Sequence, residues 1–354
     1  MAKNLLLALV AILLALALGE GVARTLGLAP PIHRIETGED DLPYTRCENP
    51  VMGYEMVANH RRDPSLEKPP AGADFYCDRT NAYGLRDVER SVEKPSGRKR
   101  ILLLGDSVVV GHGIWDLEDT ISRNMERELA GEGFEVLNFG IGGYNTRSEA
   151  ELLKEKGVQF SPDLVVLIIL ENDFLPYNTQ MWKYRYERPR LVELLFVHSD
   201  LFRTFSLATN IFHFREQLDP QRYRVEQNEL AMKSEFTTTV ESGFHLIDEL
   251  RREHGFEVAV FTWPSFSETD VIDEPFHDVV ARLAEPYGFG VFRLAPYFLG
   301  EYKELRRGAA SSSGRLGPVY AVFTVGDGMH PNERGTAVAA HAIASTLRAR
   351  GYLG

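Results

Sequence analysis

Arg100-Ile101-Leu102-Leu103-Leu104-Gly105-Asp106-Ser107 is the stretch on which the fold turns. Four consecutive branched aliphatic residues are too uniform for a strand with one wet face. They read as a strand buried on both sides, broken at once by a glycine and two turn-forming polar residues. Further runs of this kind follow at Glu135 to Phe139, Leu164 to Leu170, Glu257 to Thr262 and Val291 to Leu294. Amphipathic stretches separate them. Ile121, Met125 and Leu129 recur every four residues. Thr146 with Glu149 forms a capping-box pattern opening a helix that closes near Gly157. Pro331 stands as a first helical residue before Thr336, Ala340, Ile343 and Leu347. Strand, helix and strand in repetition predict right-handed crossovers and a three-layer α/β/α fold around a parallel, doubly wound sheet. Chemistry is then expected at the carboxyl ends of the strands.

The polar residues gather at those ends. Gly105-Asp106-Ser107 follows the first strand, Asn138-Phe139-Gly140-Ile141-Gly142-Gly143 the second and Glu171-Asn172-Asp173 the third, while Asp327-Gly328-Met329-His330 precedes the last helix. A serine hydroxyl is a weak nucleophile at neutral pH and needs a base to take its proton; imidazole has a suitable pKa. His330 is the candidate base, and Asp327, three residues earlier, can turn back to hold its other nitrogen. The oxygen that becomes negative on attack needs fixed donors, for which the Ser107 and Gly143 backbone N–H groups and the Asn172 amide are suited. Taken singly, each has a plainer reading: Ser107 or Asn172 as a turn former, and Asp327 with His330 as a cap on the helix that follows. Four such blocks at successive element ends favour the chemical one.

These blocks resemble the SGNH (GDSL-like) hydrolase superfamily, and the likeness covers about Arg100 to Gly351. The resemblance implies a flavodoxin-like fold and an esterase with nucleophile Ser107, triad partners Asp327 and His330, and an oxyanion hole of Ser107, Gly143 and Asn172. It also implies an acyl ester of a carbohydrate or lipid as substrate and no cofactor. Gly142 is a second choice for the glycine. Val108 stands where leucine is usual, and Leu170 stands where the third block usually has glycine. Two rivals use the same fold: an O-acyltransferase passing the acyl group to an envelope polysaccharide, and a noncatalytic glycan-binding or assembly protein. There is no Gly-x-Ser-x-Gly elbow, phosphate loop or His-Glu-x-x-His pair.

Outside this core the chain divides into residues 1–28, 29–98 and the domain 99–354, which carries an aromatic-rich insertion at about 174–227. The run Leu5 to Leu18, preceded by Lys3, directs the chain to a membrane. Two outcomes stay open. Cleavage after Ala15-Leu16-Ala17 would give a secreted protein; retention of Leu5 to Ala23 would leave an anchor with Glu20 and Arg24 at the outer interface. The anchor is favoured because the helical pattern runs past the cleavage position. Either outcome places the catalytic domain outside the cytoplasm, where Cys47 and Cys77 could join. Residues 29–98 read as an irregular tether with short strands, and the insertion as a cap over the site or a satellite core. His112 reads as part of a flexible loop between Gly111 and Gly113, and Trp263 as buried or as a sugar platform. The net charge of -12 excludes a nucleic-acid partner on electrostatic grounds.

Overall fold

The computed structural model describes residues 2–29, 43–49, 51–62, 77–174, 189–212, 214, 237–267, 271–311 and 316–354. The chain forms two compact units, one of Met1–Asp40 with Tyr186–Arg224, the other of Asp41–Arg185 with Val225–Gly354.

In the larger unit, five parallel strands form the central sheet: β1 (Lys99–Gly105), β2 (Phe134–Gly140), β3 (Leu164–Ile169), β4 (Glu257–Thr262) and β5 (Gly290–Arg293), in spatial order β2-β1-β3-β4-β5. The expected strands are all present, each within a residue or two of its predicted ends. Side chains alternate between two cores as the pleat requires. Leu102 and Leu104 join Leu137, Phe139, Val165 and Leu167 on one face, while Ile101 and Leu103 join Val136, Val166, Ile168 and Phe261 on the other. Both faces are covered by helices. The chain numbers its helices α1 (Ala2–Thr25), α2 (Ser107–Val110), α3 (Ile121–Glu128), α4 (Thr146–Leu152), α5 (Arg190–His198), α6 (Asp200–Thr209), α7 (Thr237–His254), α8 (His277–Ala284), α9 (Ala295–Ser311), α10 (Val319–Phe323) and α11 (Glu333–Arg350). Ala150, Phe244, Ile247 and Val280 place α4, α7 and α8 on the first face. Met125, Phe298, Phe323 and Ile343 place α3, α9, α10 and α11 on the second. The strand order reverses between β1 and β3, which opens a crevice at their carboxyl ends.

Two helix starts differ from the sequence reading. Asn145, not Thr146, caps α4 by accepting from Ser148 N, and Glu149 is fully buried instead of reaching back to the backbone. Asn332 caps α11 by accepting from Gly335 N; Pro331 lies before the cap, bridged to Thr324. In both cases an asparagine takes the cap. Its short amide oxygen reaches the third N–H of the helix, leaving the neighbouring residues to other contacts.

Within 29–98, residues 43–49, 51–62 and 77–98 carry short strands and pack. Tyr44–Arg46 and Tyr54–Met56 pair as antiparallel strands, and Met52, Tyr54, Met56 and Leu85 enter the core. Arg86 and Arg100 are wholly buried, which a guanidinium tolerates only when its donors are met. Cys47 and Cys77 are free thiols bonded to Asn49 O and Arg79 O, and burial pushes Cys77 up to about 12.

The smaller unit is helical. Glu20 of α1 accepts from Ser199 Oγ, Asp200 N and Leu201 N at the start of α6, and Arg24 donates to His198 O at the end of α5. Each charge thus meets the helix end of opposite polarity. Phe196 and Phe214 stack with centroids 3.5 Å apart and are buried, a small satellite core of the insertion, while Phe205 is exposed; Trp182, Tyr184 and Tyr186 lie outside the described residues. Several side chains in the first nine residues of α1 also lie outside them. Among the described residues no helix is long and apolar enough to cross a membrane.

Candidate active site

The β1 strand stops at Gly105, and Ser107 opens α2 directly at its carboxyl edge. Glycine is required there. A Cβ on Gly105 would lie 2.3 Å from the Val109 side chain, and one on Gly140, ending β2, 2.2 Å from Val110 N. These two glycines let the short helix sit on the strand ends and present the serine. Asp106 caps the turn: its Oδ1 accepts from Val108 N at 3.0 Å, and its Oδ2 lies 3.2 Å from Ser107 Oγ.

Although 223 residues separate them, Ser107 Oγ and His330 Nε2 are 2.9 Å apart. His330 Nδ1 is 2.5 Å from Asp327 Oδ2, while Asp327 Oδ1 accepts from the Met329 and His330 N–H groups. With Nδ1–H given to the carboxylate, Nε2 faces the hydroxyl as an acceptor. Burial alone would push the Asp327 carboxyl up, but the hydrogen bond and charge of His330 and the two backbone donors hold it at about 2. The loop bearing these residues is closed on itself. Val325 N donates to His330 O, Thr324 Oγ1 accepts from Gly326 N and Gly328 N, and Asn332 Nδ2 donates to Val322 O and Thr324 O. Trp263, at the end of β4, is buried against Phe266 and Phe298 and donates from Nε1 to Met329 O. It positions the histidine loop and offers no sugar platform.

Gly143 lies in the turn after β2 with φ +79, a left-handed conformation natural to glycine. Ile141 N donates to Gly105 O, which ties the start of that turn to the end of β1. Gly142, the second choice, is packed: its carbonyl accepts from Tyr54 Oη, and a Cβ on it would meet Tyr44 Oη at 2.6 Å. Asn172 lies in the turn after β3 and donates from Nδ2 to Asp106 Oδ2 at 2.5 Å. Asp106 fixes the orientation of this amide, since the carbonyl end would be repelled by the carboxylate. One Nδ2 hydrogen remains for a substrate oxygen. Leu170 is not among the residues with positive φ, so nothing in its backbone calls for the glycine usual in that block.

Behind this row lie two acids of opposite character to Asp327. Asp173 is wholly buried, accepting from Leu170 N and Thr146 Oγ1, and burial with the charge of Asp106 pushes it up to about 8. Glu149 is wholly buried with neither oxygen bonded, and burial with the charges of Asp173 and Asp106 raises it well above the ordinary carboxyl range. Burial thus favours the protonated form of both. Sequence periodicity placed Glu149 on a helix start and had no means of seeing that it points inward. Among the described residues no cluster of three or more His, Cys, Asp or Glu is arranged to hold a metal ion.

No protein-family model matches the sequence, and no curated protein matches it. Solved structures to which the chain is similar include a two-domain esterase active on acetylated mannans, at 14% identity and TM-score 0.43, covering 71% of this chain and 49% of that one. The chain thus spans about half the length of that protein. A putative GDSL-like lipase from Parabacteroides merdae matches at 14% identity and TM-score 0.40, over 73% of this chain and 100% of the other. The lipase/acylhydrolase from Enterococcus faecalis matches at 14% and 0.38, over 71% and 96%.

Proposed function

We propose that this protein is a serine ester hydrolase of the SGNH type, cleaving an acyl ester of a carbohydrate or lipid, with a small acyl group on a glycan as the favoured substrate. The observation that carries the reading is the continuous row Ser107 Oγ, His330, Asp327, assembled from two distant segments at the crevice of the sheet. In the first half of the reaction Nε2 of His330 takes the Ser107 proton as Oγ bonds to the ester carbonyl carbon. The oxyanion is met by the Ser107 and Gly143 N–H groups and the second Asn172 amide hydrogen. Collapse breaks the bond to the alcohol, which leaves with the proton from Nε2, and water activated by the same nitrogen then releases the acid.

For localisation, the proposal is an extracytoplasmic enzyme held at a membrane by its N-terminal segment. The Lys3-led apolar run supports this, and the bonds from Glu20 and Arg24 to the ends of α6 and α5 favour retention of that segment over its removal.

Labelling with a fluorophosphonate probe followed by peptide mapping tests nucleophile and competence together. Modification of Ser107, with p-nitrophenyl acetate hydrolysis lost in both Ser107→Ala and His330→Ala at unchanged Tm, is the expected result. Absence of both labelling and hydrolysis rejects the enzyme, and activity surviving in either variant rejects the triad.

A further inference from the structure

Beside the triad stands an imidazole that the reaction does not consume. The His112 ring lies against that of His330 with centroids 4.0 Å apart and planes inclined by 28°. Its place is built from the backbone up. His112 N donates to Ser107 O at the end of α2, so the residue is tied directly to the nucleophile turn. The glycines on either side have φ +86 and +81. A Cβ on Gly111 would lie 2.9 Å from Thr120 Cγ2, and one on Gly113 2.5 Å from Val325 Cγ1, in the loop that carries His330. Buried Arg86 then clamps the segment, donating to Val110 O, Gly111 O, Ile114 O and Trp115 O while Asp78 balances its charge. Four Arg86 hydrogen bonds to its carbonyls tie the loop down, contrary to the flexible reading of its glycines.

We propose that His112 is a positioning residue that acts through its flat face, holding the His330 ring in the plane that joins Ser107 to Asp327 and covering one side of it from water. Stacking sets the flat surface of the ring against the base, so the ring serves as a wall and relays no proton. The groups facing it are consistent with this: burial and the charges of His330 and Arg86 outweigh that of Asp327 and depress it to about 3, leaving it neutral across the working range. A neutral aromatic face also accommodates the positive charge that His330 gains in each transition state.

The inference rests on the triad reading, and a substitution series separates the two. His112→Phe keeps a flat face and removes both nitrogens; its kcat is expected to stay within about threefold of wild type, with the same single ionisation in the pH profile. His112→Ala and His112→Leu are expected to lose kcat by roughly 10- to 100-fold, as misplaced catalytic groups do, with KM little changed and fluorophosphonate labelling slowed in parallel. Leu fills the volume without the face, so it decides the matter even where Ala destabilises the loop. The proposal falls if Leu equals Phe, which reduces the role to space filling, or if Phe is as impaired as Ala, which makes the residue a proton carrier. Either outcome leaves Ser107-dependent activity intact. A wild type that neither hydrolyses the ester nor takes the probe overturns the triad reading itself.

Discussion

The two sides of Ser107 carry acids of the same chemistry held in opposite states. Asp327, on a partly open loop, is kept ionised by an imidazole and two backbone N–H groups. Asp173 and Glu149, wholly buried under the β1 and β3 ends, are pushed toward the protonated form by burial and by the charge of Asp106. The difference teaches that proximity to Ser107 does not by itself set which form a carboxyl favours. Asp327 differs in having an imidazole against one oxygen and in being only partly buried, which together favour its anion.

The comparison breaks most visibly at Asp327. Asp327→Asn preserves the shape while offering the wrong hydrogen-bonding group to Nδ1, and kcat is expected to fall by roughly 10³- to 10⁴-fold. Ester hydrolysis within tenfold of wild type would remove Asp327 from the triad. A smaller loss is expected between the two sides. Asn172→Ala deletes the amide that Asp106 orients, and a fall of about 10²-fold in kcat is expected; an unchanged rate would leave the oxyanion to backbone donors alone. The inner acids should hardly affect the rate at pH 7 but should shape the pH dependence of stability. The native pKa of Asp173 lies above its unfolded value, so the native state favours the protonated acid. Its contribution is fully present below the ordinary carboxyl pKa, near 4, and is lost as pH rises through about 8. Tm of the wild type should therefore decline between about pH 4 and pH 8, and Asp173→Asn should flatten that decline. An unaltered slope would show that Asp173 is ionised throughout. Asp327 has the opposite sign, its contribution fading as pH falls from near 4 through about 2.

Much of the architecture was legible because it is local. Ile101 to Leu104 can only be a doubly buried strand, and the polar blocks at the strand ends mark where such a sheet exposes its chemistry. Residues whose roles depend on the direction of a side chain were read less well. Thr146 and Glu149 match a capping box, yet Thr146 donates to Asp173 and Glu149 enters the core because Asn145 has taken the cap. Gly111 and Gly113 suggest freedom, yet their positive φ values and close neighbours mark a loop clamped by Arg86. Arg86 itself lies in a segment whose composition gave no hint of burial.

From the order of residues alone came the strand and helix alternation, the serine turn at a strand end and the Asp-x-x-His pair, since these follow from periodicity and from the demands of the chemistry. The meeting of Ser107 with His330, the stacking of His112 and the opposite states of Asp327 and Asp173 were decided only by the folded chain. Each depends on distance and dielectric between groups remote in sequence, quantities that a linear pattern does not contain.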